Sequence, residues 1–200
     1  MMKGIDVAKW NGVIDWAKVK KAGVEFAVLK VIDKSNKTES SFVRNYAGAS
    51  AQGLPLDVYN YLYTTTEAAA MEAAKAVVNA LAGRKIAKVW ADAENACLKN
   101  KGIQLIRILN SYKAVIEAAG YEFGVYTGLS FYNSYIKPYK AYIDCDFWIA
   151  RYPSTRNMTI VMDPPASKKP AICHNLWGWQ HSSRGRVPGI SGYVDMDICY

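Results

Sequence analysis

Apolar runs of strand length alternate with segments of helical period along the first two thirds of the chain. The runs predict strands over residues 4–8, 26–32, 56–63, 89–94 and 123–128. The segments between them predict helices over residues 15–22, 42–52, 66–81 and 102–119, and a short helical piece containing Pro138 follows the fifth strand. Strands that alternate with helices usually form a parallel sheet, so this part of the chain predicts five βα units.

The pattern changes beyond Ser130, where strand-like runs follow one another without full helices between them. Further strands are predicted over residues 147–152, 176–182 and 193–198, and the segment 153–170 has no periodicity and predicts a loop. The fold class is therefore α/β, with five βα units followed by three closing strands. A length of 200 residues with 51% hydrophobic content fits one domain, residues 1–200, at the small end for an eight-stranded α/β barrel.

Two acidic residues stand where the fourth strand is predicted to end. Asp92 and Glu94 follow the apolar run 86–91, and residues i and i+2 of a strand point to the same side. A pair of carboxyl groups at one site suits chemistry that needs one protonated and one ionised acid, of which glycosidic bond cleavage is a common case. Taken alone, the motif equally fits a helix-capping Asp92 beside a solvated Glu94.

Acidic residues also lie at the two ends of the chain, in the first and last predicted strands. Asp6 and Asp195 would lie side by side in a closed barrel, where those strands are neighbours, and would face the Asp92 and Glu94 pair. Each terminal acid taken singly is more typical of a turn or strand-end aspartate bonded to backbone. Together the four predict one acidic site.

The net charge of +8 indicates an anionic partner, which could be nucleic acid, an anionic membrane surface or the wall of a bacterium. The lysines and arginines are scattered and form no compact basic stripe or nucleic-acid motif, and no run approaches membrane-spanning length. The four cysteines form no CxxC pair and only two histidines are present, which disfavours a metal site. Two disulfides or four reduced thiols both fit this cysteine count.

Aromatic residues cluster at the predicted strand ends, where they suit the apolar faces of sugar rings. Roughly a third of them are expected to reach the cleft, because alternate strand residues face other layers. The eight are Tyr59, Tyr61, Tyr63, Tyr126, Trp148, Tyr152, Trp177 and Trp179.

A set of motifs running through the whole chain, in order, resembles glycoside hydrolase family 25, the Chalaropsis-type lysozymes or N-acetylmuramidases of phage endolysins and bacterial autolysins. The motifs are Gly4-Ile5-Asp6-Val7, Asn11-Gly12, Ile14-Asp15-Trp16, Phe26-Ala27-Val28-Leu29-Lys30, Trp90-Ala91-Asp92-Ala93-Glu94, Gly124-Val125-Tyr126-Thr127, Phe147-Trp148-Ile149-Ala150-Arg151-Tyr152, Trp179-Gln180-His181-Ser182-Ser183 and Gly189-Ile190-Ser191-Gly192-Tyr193-Val194-Asp195. The chain departs from the family at Ala8, Asp33 and Asn60, and none of these departures removes a candidate carboxylate.

The resemblance implies a flattened TIM-like barrel and cleavage of the β-1,4 bond between N-acetylmuramic acid and N-acetylglucosamine in peptidoglycan, without a metal or other cofactor. It implies that Glu94 is the general acid, that Asp92 positions the substrate acetamido group, and that Asp6 and Asp195 complete the acidic site. The substrate-binding candidates are Lys30, Tyr59, Tyr61, Tyr126, Trp148, Arg151 and Trp179. A catalytically silent glycan-binding barrel and a chitin-cleaving barrel are the alternatives.

The expected partner is bacterial peptidoglycan, with no nucleic acid or membrane partner. The chain enters its first strand within a few residues of Met1, with no apolar signal region, so we expect it to reach the wall by holin-type release or another route, or as part of a longer protein. Relatives often continue into a wall-binding module, which here would be separate or missing.

Overall fold

The structure is a computed structural model that describes residues 1–200, and it contains eight strands closed into one barrel in chain order. The strands are β1 Met2–Val7, β2 Phe26–Lys30, β3 Leu56–Tyr61, β4 Lys88–Asp92, β5 Glu122–Gly128, β6 Asp146–Ala150, β7 Leu176–Gly185 and β8 Val194–Cys199. Strands β1 to β7 pair in parallel, and β8 is antiparallel to both β7 and β1. The predicted α/β barrel with three closing strands is confirmed.

The helices pack on the outside of the barrel, between its parallel strands. The longer ones are α1 Trp16–Lys21, α2 Phe42–Ala51, α3 Glu67–Leu81 and α4 Ile103–Ala118. Capping residues set where they begin: Asp15 accepts a hydrogen bond from the Lys18 amide, and Thr66 accepts one from the Ala69 amide. None of the helices is both long enough and apolar enough to cross a membrane.

The end of the chain differs in detail from its sequence pattern. The piece around Pro138 consists of three short helical turns, Leu129–Phe131, Tyr132–Ile136 and Lys137–Tyr142. Strand β7 extends to Gly185, beyond the predicted residue 182, because it continues as a long hairpin with β8. Strand β4 ends at Asp92, so Glu94 lies in the following loop and not in the strand.

The hydrophobic core has two parts, and the smaller one forms the floor of the barrel interior. The larger part fills the space between strands and helices. The smaller part packs Trp90 against Trp148, with ring centroids 5.9 Å apart. Glycines leave room for these rings: a Cβ at Gly124 would lie 2.2 Å from the Trp90 ring, and one at Gly4 would lie 2.4 Å from the Phe26 ring. This aromatic floor supports the polar residues at the carboxyl ends of the strands.

Candidate active site

A polar cavity of about 210 Å³ opens at the carboxyl ends of the parallel strands. This is the end of an α/β barrel where active sites are built. The lining residues come from all eight strands or from the residues that follow them. They are Asp6, Lys30, Tyr59, Tyr61, Asp92, Glu94, Tyr126, Trp148, Tyr152, Gln180 and Asp195.

All four acids that the sequence singled out line this cavity. The barrel closure pairs Asp6 directly with Asp195 across β1 and β8, as the sequence predicts. Asp92 is the last residue of β4 and is buried, whereas Glu94 stands exposed at the mouth of the cavity. The structure thus brings a deep acid and an accessible acid to one site, two residues apart in the chain.

Local hydrogen bonds fix the backbone that carries Glu94. The Ala93 amide donates to the Tyr126 carbonyl at 2.8 Å, and the Thr127 hydroxyl donates to the Ala93 carbonyl at 2.8 Å. The Asn95 side chain then accepts a hydrogen bond from the Cys97 amide and caps a short helical turn. Hydrogen bonds to β5 therefore fix the backbone before Glu94, and the Asn95 cap fixes the backbone after it.

Burial raises the pKa of every carboxyl in the cavity. Desolvation and the neighbouring Glu94 raise the pKa of Asp92, although the Lys30 ammonium opposes the shift, and desolvation raises the pKa of Glu94. Burial, with a contribution from Glu94, raises the pKa of Asp195 to about 6. One oxygen of Asp92 is buried without a hydrogen-bond partner, which leaves it available to a bound molecule.

A further acid, Asp197, lies below Asp6, deeper inside the barrel. It is buried, and its Oδ1 accepts a hydrogen bond from the Trp148 indole at 3.0 Å. Burial and the charge of Asp195 raise the pKa of Asp197, and burial, Asp195 and Asp197 raise the pKa of Asp6. Like charges this close resist ionising together, so Asp195 and Asp197 make the Asp6 carboxyl harder to ionise.

Gln180 is the residue that links the acids to the aromatic wall, and sequence reasoning missed it. Its Nε2 donates to Asp6 Oδ2 at 2.6 Å, with a longer contact of 3.5 Å to Asp195 Oδ2. Its Oε1 accepts from the Tyr126 hydroxyl at 2.7 Å and from the Tyr152 hydroxyl at 2.5 Å. The signal in the sequence was a single amide side chain within a strand rich in aromatic residues, because a buried amide needs hydrogen-bond partners.

The structure gathers five of the predicted substrate-binding residues around the cavity and leaves two outside it. Lys30, Tyr59, Tyr61, Tyr126 and Trp148 line the cavity, with the Lys30 ammonium 5.8 Å from the ring centroids of both Tyr59 and Tyr61. Five of the eight strand-end aromatics reach the cavity, more than the third expected, because β3, β5, β6 and the segment after β6 direct these rings inward.

Trp179 and Arg151 do not line the cavity. Trp179 is buried on the opposite side of β7, where its indole donates to the Arg151 carbonyl at 2.7 Å, because neighbouring strand residues alternate sides and Gln180 takes the inward position. Assigning Trp179 to the cleft was therefore wrong. Arg151 lines a separate groove beside the cavity, which shares Glu94 and Tyr152 with it.

An α/β barrel with converging carboxyl groups, aromatic walls and an exposed acid at the cavity mouth is typical of a glycoside hydrolase. Residues 5–190 match glycosyl hydrolases family 25, and the chain belongs to that family.

Individual relatives support the same grouping. The chain is 28% identical to an autolytic lysozyme of Clostridium acetobutylicum, over 98% of this chain and 55% of that protein. It is 26% identical to lysozyme M1 of Streptomyces globisporus, over 97% of this chain and 66% of that protein. The catalytic domain of endolysin ply40, from bacteriophage P40 of Listeria monocytogenes, has the same fold, with a TM-score of 0.78 at 24% identity over 100% of this chain and 94% of the other. The chain thus spans little more than half the length of the first of these relatives.

Proposed function

We propose that this chain is a peptidoglycan hydrolase of the lysozyme type, which cleaves the β-1,4 bond between N-acetylmuramic acid and N-acetylglucosamine. The observation that carries the proposal is the arrangement of Asp92 and Glu94: a buried carboxyl with a free oxygen lies behind an exposed carboxyl of raised pKa, in an aromatic-walled cavity. A raised pKa keeps a larger fraction of the acid protonated near neutral pH, so that the acid can act as a proton donor.

In the proposed mechanism Glu94 donates its proton to the glycosidic oxygen as the bond to the sugar C1 breaks. The carbonyl oxygen of the 2-acetamido group attacks C1 and forms an oxazolinium ring. Asp92 orients the acetamido N–H through its free oxygen and stabilises the positive charge that develops there. Glu94, now ionised, removes a proton from the water that attacks C1, which reopens the ring and restores the acetamido group with retained configuration.

The remaining cavity residues have binding and positioning roles in this proposal. The rings of Tyr59, Tyr61 and Tyr126 offer apolar faces to the sugar, and Lys30 moderates the charge of Asp92. Asp6 and Asp195 complete the polar wall, held by Gln180. The partner is bacterial peptidoglycan and the site of action is the bacterial wall.

The alternative is a catalytically silent barrel that binds glycan without cleaving it. Repulsion between carboxyl groups weighs against it, since a pure binder gains nothing from Asp195 and Asp197 raising the pKa of Asp6. A fall in the turbidity of a peptidoglycan suspension distinguishes the hydrolase from the binder.

The roles of the two central acids are tested by changing the leaving group. Glu94→Gln should lose most activity on peptidoglycan, yet keep far more of its glycosylation rate on a substrate whose leaving group is an acidic phenol, because the phenol departs without a proton. Asp92→Asn should slow both substrates, because the charge on the acetamido group develops whatever group leaves.

Pre-steady-state phenol release is the measurement to use, since Glu94 also acts as the base in the later step and would mask the rescue at steady state. Rescue of Asp92→Asn, with no rescue of Glu94→Gln, would reverse the two assignments.

A further inference from the structure

A cluster of cations and aromatic rings lies on the surface beside the cavity, and the proposed reaction does not use it. We call it the basic rim and define it as Lys9, Trp10, Arg184, Arg186 and Tyr193. These residues are far apart in the sequence and form no basic run. The β7–β8 hairpin, which pairs Gly185 with Val194, brings Tyr193 against the two arginines.

Tyr193 holds both guanidinium groups next to each other. Arg184 Nη2 donates to the Tyr193 hydroxyl at 3.0 Å, and the guanidinium carbons of Arg184 and Arg186 lie 4.8 and 4.0 Å from the Tyr193 ring centroid. All three residues are exposed. Hydrogen bonding from Arg184 and Arg186 lowers the pKa of the Tyr193 phenol, as expected beside two cations.

Neither arginine of the rim is neutralised by an acid. The six ion pairs in the chain involve Lys3, Lys18, Lys75, Lys88 and Lys113, and Lys88 takes part in two of them. Two neighbouring guanidinium groups that face solvent without a carboxylate partner form a binding surface for an anion, because their planar donors match carboxylate and phosphate oxygens.

The second part of the rim is the loop after β1. Trp10 is 82% exposed there, and the Lys9 ammonium lies 4.8 Å from its ring centroid. Asn11 ties this loop to the hairpin by donating from Nδ2 to the Tyr193 carbonyl at 3.1 Å. An indole this exposed contributes nothing to the core and offers a flat apolar face to a sugar ring.

The rim and two acids of the cavity follow each other closely at the ends of the same two strands. Asp6 and Asp195 pair across β1 and β8, and in the chain Asp6 comes three residues before Lys9 and Asp195 comes two residues after Tyr193. A wall polymer carries anionic groups that the acidic cavity repels and that the rim attracts. The acidic cavity would then bind an uncharged sugar of the polymer, while the basic rim binds its anionic groups outside the cavity.

We propose that the basic rim binds an anionic group, carboxylate or phosphodiester, carried by the glycan strand whose sugar occupies the neighbouring cavity. Arg184 and Arg186 hold the anion, and Trp10 stacks on an adjacent sugar ring. The proposal deepens the proposed function and rests on it, since it names an anionic glycan as the substrate class. The anion has two sources, the peptide stems and any phosphodiester-linked polymer of the wall.

Binding to purified walls by co-sedimentation tests the proposal, with all variants made in a Glu94→Gln background so that the walls stay intact. The test variant is Arg184→Ala/Arg186→Ala. The matched control is Lys20→Ala/Lys21→Ala, which removes the same charge from exposed residues at the far end of α1. We expect the arginine variant to bind intact walls about three- to tenfold more weakly, and the lysine variant to change binding less than twofold.

Walls treated with hydrofluoric acid, which removes phosphodiester-linked polymers, separate the two sources. If the arginine defect disappears on treated walls, the anion is a phosphodiester; if it persists, the anion is a peptide-stem carboxylate. Trp10→Ala should weaken binding to both wall preparations, because stacking does not require the anion. An arginine variant that binds like the lysine control would overturn the proposal, whatever Trp10→Ala does.

Failure of the rim and failure of the proposed function give different results. If the protein with native Glu94 releases no sugar ends from walls, the hydrolase assignment fails, whatever the binding data show. If it cleaves walls while the arginine variant binds like the lysine control, the rim fails and the hydrolase assignment stands.

Discussion

Replacing Gln180 tests whether one amide holds the acids and the aromatic wall together. Gln180 makes two hydrogen bonds with phenols and one short bond to Asp6. Neutral bonds contribute about 0.5–1.5 kcal/mol each, and a bond to a charged group about 1.5–3 kcal/mol. Gln180→Leu, which keeps the volume but none of the bonds, should therefore lose about 2.5–6 kcal/mol of unfolding free energy.

Gln180→Glu separates the charge effect from the loss of bonds. The new carboxyl still accepts from Tyr126 and Tyr152, but once it ionises it loses its donor to Asp6 and adds a charge beside Asp6 and Asp195. Burial and these neighbours raise its folded pKa above its unfolded value, so its penalty is absent at low pH and grows as the pH rises. The loss relative to wild type should be small near pH 4 and about 3 kcal/mol at pH 7.5.

The assay is urea unfolding of wild type, Gln180→Leu and Gln180→Glu at both pH values. The difference in unfolding free energy between Gln180→Glu and wild type should increase with pH. The corresponding difference for Gln180→Leu, which adds no titrating group, should change much less. A Gln180→Glu difference that is the same at the two pH values would refute the reasoning, because the introduced acid would then not be coupled to Asp6 and Asp195.

Three further predictions concern stability and charge. All four cysteines are free, so the melting temperature should not change on adding dithiothreitol, and a large fall would show a bonded pair. Gly124→Ala should lose about 1–3 kcal/mol of unfolding free energy because its Cβ would meet the Trp90 ring at 2.2 Å. Gly128→Ala, where a Cβ would meet no atom within 4 Å, is the matched control, and equal losses would contradict the packing argument. Activity on whole walls should fall with added salt more steeply than activity on a short soluble glycan, because salt screens capture by the positive surface more than chemistry inside the cavity. Equal salt sensitivity of the two substrates would contradict a role for charge in capture.

The barrel and its acids were predictable from sequence because they depend on simple regularities. Alternating apolar runs and helical periods predicted the order of the strands, and closure of the barrel predicted that Asp6 and Asp195 are neighbours. The same apolar runs predicted that the acids lie at the ends of strands. Strand ends were less predictable: β4 stops at Asp92, and Glu94 belongs to the loop that follows.

Side-chain direction near the end of the chain could not be predicted from sequence. The β6–β7 and β7–β8 pairings contain register shifts, which no pattern of apolar residues reveals, and they leave Gln180 inside and Trp179 outside. The basic rim was hidden for a related reason. Arg184, Arg186 and Tyr193 meet only through the hairpin, so the sequence shows scattered charge where the fold makes a cluster.

The reducing end that digestion creates tests the central claim most directly. Purified peptidoglycan is digested, the products are reduced with borohydride, and the reduced sugar is identified by mass spectrometry after acid hydrolysis. Cleavage after N-acetylmuramic acid, as proposed, converts this sugar to muramitol. Glucosaminitol in its place would mean that the chain cleaves after N-acetylglucosamine, and the muramidase assignment would be wrong.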